Sequence, residues 1–277
     1  MSAQTLTEPR QRLLIRIGKK LLSLHALLTY LFLYVPILVL IIFSFNDSKS
    51  VFKWAGFTIR WYLDLFQDPR IMGALKNSLI VAFASMVVST VFGTMVSIAL
   101  ERYHFFGKLP LDALLYLPIV IPEITMAVML LVFFVLIRLS LGLHTIIISP
   151  VAFNISFVTV TVRARLASLD PAFEEAAQDL YANEWQTFWK VTFPLLLPGI
   201  IGGALMAFTL SLDDYVITFF TAGARSTTLP LRIYSMVKTG VKPDINALSS
   251  LMLMVSMALV ILSLFLQRKG GEGGTIK

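Results

Sequence analysis

Cysteine is absent from the 277 residues, and Asp, Glu, Lys and Arg together make up only 14% of the chain. Without a thiol there is no disulfide framework, no thiolate metal site and no cysteine nucleophile. The three histidines, His25, His104 and His144, are too scattered to suggest a metal cluster. No G-x-x-x-x-G-K-[ST] phosphate loop occurs, because Gly107-Lys108 lacks both the upstream glycine and the following Ser or Thr, and there is no G-x-S-x-G nucleophile elbow. The chain is therefore not expected to be an enzyme, to bind ATP itself or to hold a cofactor or metal.

Hydrophobic residues make up 57% of the sequence, well above the roughly 45–50% of soluble domains. That much apolar surface needs a solvent other than water, so a membrane protein is expected. The formal charge of +7 would raise the question of nucleic acid in a soluble protein, but no basic, aromatic-interleaved motif accompanies it. Arg10, Arg12, Arg16, Lys19 and Lys20 instead precede the first apolar run, where positive charge retains a segment in the cytoplasm.

A helix needs about 20 residues to cross a bilayer core. Six apolar stretches qualify: Leu22 to Phe45, Ser78 to Leu100, Ala113 to Ile137, Leu139 to Val162, Leu195 to Ala222 and Ala247 to Leu266. The first is too long for a signal-peptide core and has no small-residue cleavage site. The predicted fold is thus all-α and polytopic, with a basic arm (1–21), an external loop (46–77), a five-helix core (78–266) and a flexible tail (267–277) rich in glycine. The third and fourth spans form a hairpin turning at Arg138 to Gly142. An even number of spans places both termini on one side, read as cytoplasmic; 13 Lys and Arg then fall inside and 10 outside. The aromatics of the first outer loop, Trp54, Trp61 and Tyr62, read either as interfacial anchors or as a docking surface, as does the outer segment Gly223 to Asn246. Gly199 and Gly203 have the spacing that allows close helix approach.

Three acids, Glu123, Asp213 and Asp214, fall inside the predicted spans. Each charge near a span centre costs about 2.5–3.5 kcal/mol, so three of one sign ask for compensation by a cationic substrate, water or a partner subunit. Successive helical residues point about 100° apart, so Asp213 and Asp214 cannot face one narrow pore equally. Tyr215, Phe219 and Phe220 follow and could offer aromatic faces to an ammonium group. Packing of these aromatics, and a kinked helix end or a cap for the acids, are the alternative readings.

The longest cytoplasmic segment, 163–193, reads as helix. Asp170 suits an N-cap, Pro171 the first helical position, and Glu174 and Glu175 the positive end of the helix dipole. Ala172, Phe173, Ala176, Ala177 and Leu180 share one face, opposite Glu174, Glu175, Gln178 and Asp179. A second short helix, capped by Asn183, carries Trp185, Phe188 and Trp189 on one side. Such pieces can lie on lipid, but an acidic polar face is repelled by anionic headgroups, so a protein partner fits better.

Glu175-Ala176-Ala177, three residues, Tyr181, nine residues and Val191-Thr192-Phe193-Pro194 resemble the EAA loop of type I ABC importer permeases (MetI-like), E-A-A-x3-G-x9-I-x-L-P. In that family the loop is a coupling helix docking in a cleft of a cytoplasmic ATPase, which implies ATPase-coupling roles for Glu175, Ala176, Ala177, Asp179 and Tyr181. Tyr181 stands at the family's glycine, so the expectation is that the sharp turn is made by Asn183, which tolerates the left-handed conformation better. The stretch Phe208 to Val216, with Ser211-Leu212-Asp213-Asp214, then Leu229-Pro230-Leu231-Arg232-Ile233-Tyr234-Ser235-Met236-Val237-Lys238 and Pro243 to Leu248, resembles the second permease subunit of spermidine/putrescine importers.

The resemblance implies a permease subunit of the bacterial inner membrane, with no catalytic residue. It would work with a homologous permease, an ATPase dimer that binds the ATP, an extracytoplasmic binding protein and a small cationic substrate. Glu123, Asp213, Asp214 and Tyr215 are its expected substrate-pathway residues. Two other readings stand open at this point: a related permease for another organic cation or opine-like solute, and a secondary cation transporter or channel, against which the EAA loop and the absence of internal repeats argue.

Overall fold

The computed structural model describes residues 9–48, 53–240 and 242–272. Twelve helices are named within them: α1 (Pro9–Phe43), α2 (Arg60–Gln67), α3 (Pro69–Arg102), α4 (Lys108–Val120), α5 (Glu123–Leu136), α6 (Leu143–Ala167), α7 (Ala172–Asp179), α8 (Glu184–Thr187), α9 (Phe193–Asp213), α10 (Val216–Thr221), α11 (Leu229–Thr239) and α12 (Pro243–Glu272). The only strand-like pairing among the described residues is an isolated antiparallel bridge between Asn46 and Phe57.

Five helical segments are long and apolar enough to cross a bilayer alone, and α4 with α5, bent by 112° at their junction, makes a sixth crossing. The two ends of this broken pair lie at opposite ends of α6, as a crossing requires. Asp112 at the start of α4 pairs with Arg163 near the end of α6, whereas Gly223, just after α10, abuts Leu141, just before α6 begins. The third span was expected to be continuous from Ala113 to Ile137. It breaks because Pro122 lacks an N–H and pushes Ile121 into an extended conformation (ψ 135°).

The fifth span is also interrupted: α9 stops at Asp213, Asp214 is extended (ψ 118°), and α10 adds six residues. Its other end runs on without a gap through a π-turn, Phe188–Thr192, into α8. Pro194 explains the turn, since its ring displaces the carbonyl one turn earlier and a wider π register absorbs the clash.

Several elements outrun their predicted limits. The helix α1 incorporates the basic arm from Pro9 onward, α3 starts nine residues before Ser78, and α6 is shifted toward Ala167. Asp68 accounts for the early start of α3, because its carboxylate accepts the Arg70 N–H at 2.8 Å and Pro69 takes the first turn. The final helix continues through Gly270 and Gly271, which composition had assigned to a flexible tail. The first eight residues of the arm and the last five of the tail lie outside the described residues.

The bundle is held by α3, α6 and α9, stitched together with small polar groups. Ser97 Oγ donates to the Thr159 carbonyl (3.0 Å), and Asn154 Nδ2 donates to Ser211 Oγ (2.7 Å), which also bonds Ser85 Oγ (2.7 Å). Small residues let these backbones close up, as expected within lipid. A Cβ on Gly93 would stand 2.7 Å from Val158 Cβ, and one on Gly199 2.7 Å from Arg165 Cβ.

At one end, α2 and α11 cap the bundle through a cluster of Trp61, Leu65, Ile71, Ala74, Leu229, Ala247 and Leu248. Trp61 is therefore neither an anchor nor a docking group: it is buried, and its indole N–H donates to the Asn46 carbonyl at 2.7 Å. At the other end lie α7 and α8. Because α12 starts in the Trp61 cluster and reaches the Gly202 carbonyl of α9 through Ser263, its described end lies on the α7–α8 side.

Candidate functional site

The α7–α8 loop is a compact unit. The Asp170 carboxylate accepts the Ala172 N–H (2.9 Å) and so caps α7, as the sequence suggested. At the far end the Tyr181 N–H bonds the Gln178 carbonyl (2.9 Å) and the Ala182 N–H bonds that of Ala177 (3.1 Å). This is a Schellman closure, which requires a left-handed residue at the first position past the cap. Tyr181 itself supplies it, with φ +63°. The expectation that Asn183 makes the turn is thus corrected. Asn183 has φ −75° and instead opens α8 through a capping box, its Oδ1 accepting the Gln186 N–H (2.8 Å) while Gln186 Oε1 accepts its own N–H (3.1 Å).

The apolar face of α7 is not covered by the described residues. Phe173 is 42% exposed, Leu180 81% and Tyr181 97%, and Trp185 on α8 is 70% exposed. Glu175, Ala176 and Asp179 are exposed as well, and Ala177 is half-buried. Glu175 makes no hydrogen bond or ion pair among the described residues. Its neighbour Glu174 behaves oppositely: Oε1 accepts both the Arg102 guanidinium (2.7 Å) and the Thr192 hydroxyl (2.7 Å), tying α7 to the end of α3 and to the π-turn. Sequence pattern alone had grouped the two glutamates on one polar face. The helical period of the loop does not show this tether, because Arg102 and Thr192 both lie outside it.

A second constellation lies where the two broken spans meet. The half-helices α5 and α10 pack through Ala127 and Ile217 beside Phe153 of α6, which brings the break after α4 near the break after α9. Discontinuous helices of this kind expose backbone groups and dipole ends inside a bilayer, where they can meet ionic solutes. Glu123, in the first turn of α5, is exposed.

The adjacent aspartates have different surroundings. Asp214 is buried: one carboxylate oxygen accepts the Ile217 N–H (3.1 Å), the other the Thr218 N–H (3.0 Å) and hydroxyl (2.6 Å), which caps α10. Asp213 is exposed, accepts only the Ser256 hydroxyl of α12 (2.8 Å) among the described residues, and opens onto a cavity of about 370 Å³ with Ile233, Met252 and Met257.

Tyr215 joins an aromatic cluster with Phe219 (5.7 Å between centroids) and Tyr234 of α11 (4.7 Å). The Lys238 ammonium sits 4.6 Å from the Tyr234 ring centroid, so this cluster already holds one cation by its aromatic face. The same ammonium, with the Tyr215 hydroxyl, draws the Tyr234 hydroxyl below the usual phenol range. Ser256 and Tyr234 are contacts that only the fold reveals, since each lies at least 19 residues from its partner.

Residues 89–269 match the family described as binding-protein-dependent transport system inner membrane component. Spermidine/putrescine transport system permease protein PotC of Haemophilus influenzae is 40% identical over 243 residues, 88% of this chain and 95% of its own length. Putrescine transport system permease protein PotI of Escherichia coli K12 is 40% identical over 234 residues, 82% of this chain and 83% of its own. Among solved structures, a bacterial alginate ABC transporter in complex with an alginate pentasaccharide-bound periplasmic protein contains a chain of the same fold. It aligns with TM-score 0.66 at 18% identity, covering 94% of this chain and 98% of that one.

Proposed function

The chain belongs to the family of binding-protein-dependent transport system inner membrane components, and on that premise we propose that it is the polyamine-conducting permease subunit of an ATP-driven importer. Membership in this family removes the reading as a channel or secondary transporter. Putrescine and spermidine are the proposed substrates, on the strength of 40% identity to permeases named for them over most of the chain.

The observation that carries the mechanism is the exposed apolar face of α7 and α8, fastened to the transmembrane bundle by Arg102–Glu174 and Thr192–Glu174. A face of Phe173, Leu180, Tyr181 and Trp185 beside the exposed acids Glu175 and Asp179 suits a partner with an apolar cleft and a basic rim. In this reading that partner is one of two ATPase subunits, which bind the ATP, and the permease itself is non-catalytic. Movement of the ATPase is transmitted through Glu174 to α3 and α9, which rocks the bundle between inward and outward openings. A homologous permease completes the pathway, and an extracytoplasmic binding protein delivers the substrate. The α7–α8 end is then cytoplasmic, as are the termini, in a bacterial inner membrane.

Within the bilayer, Asp213 is the acid placed to meet a passing ammonium group, with Glu123 and Tyr215 along the same route and Asp214 as a structural cap. The test is uptake of labelled putrescine and spermidine by cells lacking this chain, with and without the protein restored. ATP-dependent uptake that returns with the protein establishes the substrate class. Absence of any response to either polyamine overturns the polyamine assignment.

A further inference from the structure

The bundle end opposite α7 and α8 carries a cavity of about 710 Å³ between α3, the start of α6 and the segment leading into α11. Four cations line it, Arg70, Lys76, Arg225 and Arg232, together with Asn77 and Leu143, and no acidic residue is among its lining groups. None of the four forms an ion pair among the described residues. The acid nearest in sequence, Asp68, is engaged in capping α3 through the Arg70 N–H. The Arg232 Nε is shut off from solvent and has no hydrogen-bond partner among the described residues.

The cavity wall is built rather than loose. Asn77 Nδ2 donates to the carbonyls of Arg225 (3.2 Å) and Thr227 (2.9 Å), and the Leu229 N–H donates to Ser78 Oγ (2.8 Å). Arg225 is held in the left-handed region (φ +65°), a conformation that surrounding contacts must impose on a residue with a side chain. Four like charges gathered around one concavity repel each other unless an anion joins them. A polyamine cannot be that ion, because it carries the same sign. The cluster would oppose a cation's approach to Tyr234, two residues along α11 from Arg232, unless something neutralises it first.

We infer that this cavity is the docking site for carboxylate side chains on an acidic surface of the extracytoplasmic binding protein. The inference rests on the importer reading proposed above and names the chemistry of one of its partners. Docking inserts the acids among Arg70, Lys76, Arg225 and Arg232, supplies the missing counter-charge and lowers the barrier to the cation at the moment it is released. The partner that brings the substrate is the one whose arrival coincides with that need. Association is then steered by charge and weakens with salt.

The absence of cysteine allows a direct test in the assembled importer, reconstituted in phosphatidylcholine vesicles. Thr227→Cys places a single thiol of this chain, on an exposed residue, at the cavity wall. Its labelling by a methanethiosulfonate carrying a sulfonate is expected to be about tenfold faster than by one carrying a trimethylammonium, after correction for a free thiol. Arg70→Gln with Arg232→Gln should erase that preference, and Arg70→Lys with Arg232→Lys should keep it; assembly and basal ATP hydrolysis serve as the folding control. The putrescine-loaded binding protein should slow labelling, and less so as salt rises. No charge preference, or protection by added phosphatidylglycerol but not by the binding protein, overturns the inference. If the wild-type complex shows no ATP hydrolysis stimulated by binding protein, the importer reading itself is wrong, an outcome separable from failure of the cavity's role.

Discussion

Arg102, the last residue of α3, and Glu174, in the first turn of α7, meet at 2.7 Å although 72 residues separate them. The carboxylate oxygen that accepts the guanidinium also accepts the Thr192 hydroxyl, so one atom joins a membrane span, the coupling loop and the entry to the next span. Its neighbour Glu175 faces outward with no partner among the described residues. Two adjacent glutamates thus divide the work, one holding the loop and the other presented to whatever docks.

This division predicts opposite phenotypes. Glu174→Ala should lower stability by about 1–2 kcal/mol through loss of two charge-assisted bonds at a partly exposed site, read as a fall in the thermal midpoint of the purified chain. Glu175→Lys should leave that midpoint unchanged while abolishing uptake and co-purification with the ATPase. A normal melting curve for Glu174→Ala would remove its assignment as the tether.

Tyr181 pays about 1–2 kcal/mol for its left-handed backbone, a cost that glycine does not carry. Tyr181→Gly is expected to stabilise the loop and to retain or raise transport-coupled ATP hydrolysis. Hydrogen exchange at the Ala182 amide, which closes onto Ala177, should slow in the variant. A clear loss of hydrolysis would mean that the exposed ring is itself a partner contact.

Asp213 and Asp214 should separate just as cleanly. Asp214→Ala removes the cap of α10, at a cost of about 0.5–2 kcal/mol, and should reduce the folded yield. Asp213→Asn keeps the Ser256 bond and the fold, and is expected to reduce polyamine uptake with unchanged membrane abundance. Equal abundance and equal uptake for both variants would refute the distinction.

Gly93→Ala tests the packing of α3 against α6. A methyl group there would stand 2.7 Å from Val158 Cβ and 2.8 Å from its Cγ1, so the helices must part at a cost of about 1–3 kcal/mol. The double variant Gly93→Ala with Val158→Ala should regain part of that loss in a thermal melt; no recovery would show that the strain lies elsewhere.

The six crossings were legible because hydropathy over about 20 residues reflects the bilayer's thickness, a property of the solvent rather than of the fold. The caps at Asp170 and Asn183 were legible for a similar reason, since they depend on residues two or three apart. The breaks were partly visible: Pro122 marks one, but no proline or glycine marks the gap at Asp214, which exists because its carboxylate satisfies the free amides of α10. The turn at Tyr181 was misassigned because a hydrogen-bonded closure, rather than intrinsic preference, decides which residue becomes left-handed.

Sequence by itself determined the solvent, the number of crossings, the coupling loop and the acids within the spans, because each depends on composition or on neighbours in the chain. Tertiary structure alone decided which glutamate tethers and which faces a partner, which aspartate caps and which opens to a cavity, and that four distant cations share one concavity. Those distinctions arise between groups far apart in sequence, brought together only when small residues let the helices pack, and no local pattern encodes them.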